Sequence, residues 1–254
     1  MRALYTAATG MSARQTQLEN IANNLANSTT TGYKKTRENF ADLIYQQIGG
    51  TPTGDLMQLG SGTRISALSR NFGNGATLIT SNATDLMIDG DGFFSVTTPN
   101  GETLYTRDGH FRVDQEGNVT TQDGYILQPG FQVPEGGTLM VGSDGTVSAL
   151  IKNEAGSETV ALGQLELTRF PNPEALMAAG SNYYRATTPA GNPQSSIPQS
   201  AGTGSVVQYA LEGSNVDVAE ELITMISAQR SYDLNSKVIQ TADEMMQVAA
   251  NLKR

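Results

Sequence analysis

The chain has 254 residues, a formal net charge of −9, 38% hydrophobic and 16% charged residues, 27 glycines, one histidine and no cysteine. The acidic balance, with no cluster of Lys and Arg, excludes a nucleic-acid groove. The lack of cysteine excludes disulfides and thiolate chemistry, and a lone His110 excludes a multi-histidine metal centre. No apolar run approaches the length of about 20 residues that a membrane helix needs, so the chain reads as not membrane-inserted.

Residues 3 to 27 carry an apolar stripe at helical spacing. Leu4, Met11, Leu18 and Leu25 fall seven apart, and Ala8, Ile21 and Ala22 fill the same side. Thr6, Thr9, Gly10 and Ser12 interrupt this stretch, so it is an amphipathic helix and not the apolar core of a cleaved signal peptide. A turn-rich stretch follows at Gly49 to Gly62, too polar to have a core of its own.

The middle is punctuated by Asp-Gly steps at Asp89-Gly90, Asp91-Gly92, Asp108-Gly109, Asp123-Gly124 and Asp144-Gly145, each a tight-turn signal. Short apolar or alternating runs lie between them: Leu86 to Ile88, Phe93 to Val96, Thr103 to Thr106, Phe111 to Val113, Tyr125 to Leu127, Leu139 to Val141 and Gly163 to Phe170. They predict an antiparallel β domain over residues 85 to 185. The stretch from Pro189 to Gly204, rich in Pro, Gly, Ser and Gln, reads as a loop or linker.

Residues 216 to 252 predict a second amphipathic helix, about 50 Å long at 1.5 Å per residue. Leu222, Met225, Tyr232, Ile239 and Met246 recur along it, with Ala228, Ala242 and Ala249 between them and Asn235 as one polar intruder. Asp217 and Glu220 have the spacing of a capping box, and Lys253 and Arg254 suit the negative end of the helix dipole. Two long amphipathic ends around a β-rich insert favour pairing of the termini with each other and with further copies of the chain.

The constellations that invite chemistry are weak. Asp85, Asp89 and Asp91 lack the ordered spacing of a calcium loop, and Gly90-Asp91-Gly92 has no third glycine at the dinucleotide spacing. His110 sits at a turn-to-strand step and reads as a surface residue. Acidic pairs for a glycosidase are always available among 25 carboxylates, but the chain has no Trp for sugar stacking. No catalytic residue, metal ligand or cofactor site is expected.

Three blocks resemble the bacterial flagellar rod and hook family: IANNLANSTTTGYKK (21–35), DLMIDGDGFFSV with YTRDGHFRVDQEGNVTTQDGYIL (85–96 and 105–127), and LEGSNVDVAEELITMISAQRSYDLNSKVIQTADEMMQ (211–247). Within the family the likeness is greatest to distal rod subunits, because the chain is too short for a hook protein and the segment ending QLGSGTRISA is similar to the extra segment of distal rods.

The resemblance implies an α+β fold. Residues 1–35 and 214–254 would form an inner, coiled-coil-like helical layer, and 85–185 an outer β domain. Residues 36–84 and 186–213 would link them, including a rod-type extended segment at 46–62. It further implies a structural subunit of a hollow helical tube that crosses the periplasm and transmits torque from motor to hook. Its partners would be copies of itself, proximal rod subunits, the hook protein and the peptidoglycan- and outer-membrane-associated ring proteins. Delivery would be through the flagellar type III export apparatus without a cleaved signal peptide. The implied assembly interface is Leu4, Met11, Leu18, Ile21, Leu25, Leu222, Met225, Tyr232, Ile239 and Met246, and the motif turn residues are Asn23, Asn24, Asn27, Gly32, Gly90 and Gly92. The alternatives are a proximal rod subunit and a cell-wall-acting periplasmic hydrolase.

Overall fold

The computed structural model describes residues 2–50, 56–153 and 156–251. By its own contacts the chain divides into two compact units: residues 1–26, 36–70 and 216–254 form one, and 27–35 with 71–215 form the other.

The first unit holds both long helices, α1 (Arg2–Ala26) and α2 (Val218–Asn251), with strands β1 (Thr36–Asp42), β2 (Gln46–Gly50), β3 (Leu56–Leu59) and β4 (Thr63–Arg70). β1 and β4 pair antiparallel from Thr36↔Arg70 to Asp42↔Thr63, with a register shift at Asn39/Phe40. β2 and β3 pair antiparallel as well. α1 packs on α2, β1 and β4.

The start of α2 follows its sequence signals. The Asp217 carboxylate accepts from the backbone N–H groups of Ala219 (2.8 Å) and Glu220 (3.2 Å), and two acidic residues occupy the first turn. Lys253 and Arg254 lie outside the described residues.

The second unit carries the remaining strands. In chain order they are β5 (Thr77–Ile79), β6 (Leu86–Asp89), β7 (Phe93–Thr97), β8 (Thr103–Thr106), β9 (Phe111–Val113), β10 (Val119–Thr121), β11 (Ile126–Leu127), β12 (Gly137–Val141), β13 (Thr146–Asn153) and β14 (Gly156–Gln164). There follow β15 (Leu167–Arg169), β16 (Met177–Gly180), β17 (Tyr183–Arg185), β18 (Gln194–Ser196), β19 (Ser205–Gln208) and β20 (Ala210–Glu212). Among the described residues nine strands form the main antiparallel sheet, in the order β16-β17-β8-β7-β11-β10-β9, with β15 joining β7 to β18. β12-β13-β14 form a second sheet, and β6/β19 and β5/β20 are separate pairs.

β7 shows why this part of the sequence reads as a near-continuous apolar run. Phe94 and Val96 point into one core with Ile88, Phe111, Val119 and Leu127, while Phe93 joins a second core with Tyr105, Phe170, Leu176 and Tyr184. With both faces covered, the strand needs apolar residues at successive positions.

Several segments differ from the sequence reading. Residues 36–84 and 186–213, expected as linking segments, carry β1 to β5 and β18 to β20. The turn-rich Gly49 to Gly62 carries part of β2 and all of β3, with residues 51–55 outside the described set. The run Gly163 to Phe170 is broken, its strand residues divided between β14 and β15. β1 with β4 and β5 with β20 are held by backbone pairing between segments distant in sequence, and β2 with β3 is a local hairpin; backbone pairing of this kind needs no hydrophobic alternation that could be read from the chain.

Candidate functional site

The helices of the first unit meet along a seam of small and polar residues. In α1, Ala7, Gln17, Ile21 and Asn24 are buried; in α2, Glu221 and Ala228 are buried. Asn24 Nδ2 lies 3.4 Å from Glu221 Oε2, and two heptads away a Cβ placed on Gly10 would stand 3.0 Å from Asn235 Nδ2. The two contacts share one antiparallel register, because the two heptads from Asn24 back to Gly10 match the two from Glu221 on to Asn235. The same register sets Gln17 opposite Ala228.

The expected interface residues take different places. Ile21 is buried in the seam, and Leu4, Met11, Leu18 and Leu25 are half-buried beside it. Met225 and Ile239 are half-buried, whereas Leu222, Tyr232 and Met246 are exposed. Small residues let two helices approach closely, so the larger side chains stand to the flanks.

α2 therefore presents much apolar surface to solvent. Ile223 is 69% exposed, Leu234 62%, Met245 67% and Val248 59%; on a 3.6-residue wheel these stand about a third of a turn away from Ala228 and Asn235.

Where α1 ends, the asparagines of the first block do distinct jobs. Asn24 exchanges two hydrogen bonds with the backbone of Thr36, its Nδ2 donating to the carbonyl (2.9 Å) and its Oδ1 accepting from the N–H (3.1 Å). Asn20 Nδ2 donates to the same carbonyl at 2.8 Å and also to Glu38. These bonds tie β1 to the last turns of the helix. Asn23 is exposed.

In the β-rich unit the sequence blocks converge on a buried ion cluster that sequence reasoning missed. Glu212 Oε1 accepts from Lys34 Nζ at 2.6 Å and from the Gly75 N–H at 3.0 Å, while Oε2 faces Arg107 Nη1 at 3.4 Å. Lys34 also donates to the Gly73 carbonyl at 2.8 Å, and the Arg107 guanidinium lies over the Phe93 ring at 5.3 Å. All three charged side chains are essentially inaccessible. Burial pulls both cations below their ordinary values, opposed by the Glu212 carboxylate. Lys34 comes from the first quoted block, Arg107 from the second and Glu212 from the third; those memberships were the one signal available.

The comparisons with known proteins follow the same three blocks. Residues 4–34 match the family model of flagella basal body rod proteins, 87–149 that of the flagellar hook protein FlgE/F/G D1 domain, and 207–252 that of the flagellar basal body rod FlgEFG C-terminal region. The chain is 44% identical to the flagellar basal-body rod protein FlgG of Borreliella burgdorferi over 265 aligned residues, covering 100% of this chain and 99% of that protein. The chain belongs to the flagellar basal-body rod protein family. The FlgG of Caulobacter vibrioides is 38% identical with both chains fully covered. The flagellar hook protein FlgE of Helicobacter mustelae is 37% identical over 137 residues, 50% of this chain and 30% of the hook protein.

The remaining motif residues of this rod-family chain are backbone positions in the β-rich unit. Asn27 stops the chain after α1: its carbonyl accepts from the Thr30 N–H and its Oδ1 from the Thr30 hydroxyl. Gly32 has φ +68°, and a Cβ there would fall 2.7 Å from the Asp108 N, so only glycine allows its N–H to reach the Glu212 carbonyl at 2.8 Å. Gly90 and Gly92, at φ +113° and +138°, turn the chain between β6 and β7, where a Cβ on Gly90 would stand 2.8 Å from Gly204 Cα.

His110 is half-buried, not on the open surface. Its backbone bridges to Asp85, and its N–H donates to Asp108 Oδ1 at 3.2 Å, an oxygen that also accepts from the Thr31 hydroxyl. Burial raises the Asp108 carboxyl above the usual carboxylate range.

Proposed function

We propose that the chain is a structural, non-catalytic subunit of the distal rod of the bacterial flagellum, polymerising into a hollow helical drive shaft. The observation that carries this reading is the apolar surface of α2. A helix that leaves Ile223, Leu234, Met245 and Val248 in solvent, while pairing with α1 through small and polar residues, has its main hydrophobic contacts still to make. A contact between copies whose rotation does not close gives an open filament, which is the form of a rod.

In this reading α1 and α2 form an inner, coiled-coil-like layer and the β-rich unit faces outward, toward the peptidoglycan- and outer-membrane-associated rings. Proximal rod subunits and the hook protein are its axial neighbours, and the flagellar export apparatus delivers it across the inner membrane. Coverage of FlgG relatives from end to end favours a distal over a proximal rod subunit.

Electron microscopy of the purified protein at rising concentration tests the proposal. Straight hollow tubes built of one kind of subunit are the expected product. A monodisperse monomer that never polymerises, alone or on rod templates, would overturn it.

A further inference from the structure

We infer that Asn235 is the register key of the helical unit: its amide fits a notch in α1 at Gly10 and selects, among heptad-related alternatives, the one alignment in which α1 and α2 pair. This rests on the pairing of the terminal helices proposed above and adds which residues fix it.

Gly10 offers no side chain opposite Asn235, and a Cβ there would stand 3.0 Å from Asn235 Nδ2 and 3.4 Å from Asn235 Cγ. Thr6 and Arg14, one turn to either side of Gly10 on α1, border the notch. Asn235 also separates two open clefts. One, of about 490 Å³, is lined by Phe40, Gly62 and Thr63 as well as these α1 residues. The other, of about 420 Å³, lies toward Ala7, Leu59 and Val238. The amide is thus held by shape on the helix side and stays open to water on both flanks, so it is not stranded without hydrogen-bond partners.

The layers above and below show why this matters. Along the seam Asn24 faces Glu221 and Gly10 faces Asn235, and the register these two set places the buried Gln17 opposite the buried Ala228. In the last two, a long polar side chain faces a residue with little or no side chain, the long one lying on α2 in the first and on α1 in the second. A slip of one heptad, which would keep similar faces together, sets Gln17 against Asn235 in one direction and Gly10 against Ala228 in the other. The first is a collision and the second a hole. Small seam residues such as Ala7 tolerate sliding, so discrimination falls on the layers that carry a polar side chain. A single polar residue in a helix seam is known to specify register at a cost in stability.

The chain lacks cysteine, which allows a direct test by cross-linking the full-length protein. The pair Ala7→Cys/Val238→Cys reports the native register, since both residues line the same cleft. The pair Ala7→Cys/Met245→Cys reports a slip of one heptad in the direction that sets Gln17 against Asn235. In the otherwise unchanged chain only the native pair should close. With Asn235→Leu or Asn235→Ala added, the slipped pair should close about tenfold faster than before, with helicity by circular dichroism retained. Asn235→Ala guards against misfolding, because alanine favours the helix and adds no bulk. If both variants retain the native pair alone, Asn235 does not set the register. If the native pair fails to close in the unchanged chain, the helix pairing itself is overturned, a separate and recognisable failure.

Discussion

Lys34 Nζ lies 2.6 Å from Glu212 Oε1, with both side chains fully buried although 178 residues separate them in the chain. Lys34 follows α1 in sequence and Glu212 precedes α2. The ion pair thus joins, inside the β-rich unit, the two segments through which the chain comes from one terminal helix and goes on to the other. Arg107 adds a second cation on the same carboxylate, so the cluster holds two positive charges against one negative.

That imbalance makes Glu212 the critical member. Glu212→Gln would leave two buried cations facing a neutral amide, and the expected loss is on the order of 3–5 kcal/mol of unfolding free energy. Lys34→Met should cost clearly less, because Glu212 keeps Arg107 and the Gly75 N–H. Urea unfolding followed by tyrosine fluorescence measures both. An equal or larger loss in the lysine variant would mean that the carboxylate is not the centre of the cluster.

Much of the fold was legible because periodicity and turn chemistry agree. The 3.6-residue stripes gave both helices nearly to the residue, and Asp-Gly steps bracketed β6 to β9. What was not legible depends on contacts that only the folded chain makes. Leu4, Met11, Leu18 and Leu25 form a more obvious heptad than Ala7, Gly10, Gln17 and Asn24, yet the seam uses the latter set, since close approach favours small side chains over large ones. Lys34, Arg107 and Glu212 carry no pattern at all in one dimension. Their burial follows from three distant segments meeting, and a lone charged residue in a polar stretch reads as solvated.

Asp108 gives a pH dependence whose sign can be worked out. Burial raises its folded-state carboxyl above the ordinary aspartate value of 3.8, so between that value and the raised one the folded protein holds more proton than the unfolded chain. Its contribution to stability therefore falls as pH rises through this window and stays low at neutral pH. Asp108→Asn keeps an oxygen to accept from Thr31 and His110 and removes the buried charge. It should melt higher than the parent at pH 7, with the difference closing below about pH 4. Calorimetry across pH 3 to 8 decides the matter; a variant less stable than the parent at pH 7 would show that the ionised carboxylate is a net stabiliser.

The exposed side of α2 separates folding from assembly. Leu234 is 62% exposed, so Leu234→Asp should change the stability of the isolated subunit by no more than about 0.5 kcal/mol. In a tube the same carboxylate would be placed against apolar neighbours, at a cost of several kcal/mol per subunit, and polymerisation should fail. Ala228→Asp, at a 2% exposed seam position, should instead unfold the helical unit. Tubes formed by the Leu234 variant at parental yield would remove that face of α2 from the contact between copies.

The hairpin of β2 and β3 can be tested as a source of stiffness. Its base is closed by the chain itself: the Leu43 N–H donates to the Gly62 carbonyl at 2.9 Å, and a Cβ on Gly60 would stand 3.6 Å from the Tyr45 ring. Residues 46–59 can accordingly be removed and Tyr45 joined to Gly60 with little movement of β1 or β4. The helices are untouched by this deletion, so polymerisation should persist. If the hairpin is wedged between neighbouring subunits of a rod, its loss frees them to slide, and the tubes should become curved or bend more easily. Filament curvature and persistence length, read by electron microscopy against the parent protein, provide the comparison. Deletion tubes as straight and stiff as the parent's would move the origin of rigidity to the helical layer, where α1 and α2 run side by side over most of their length.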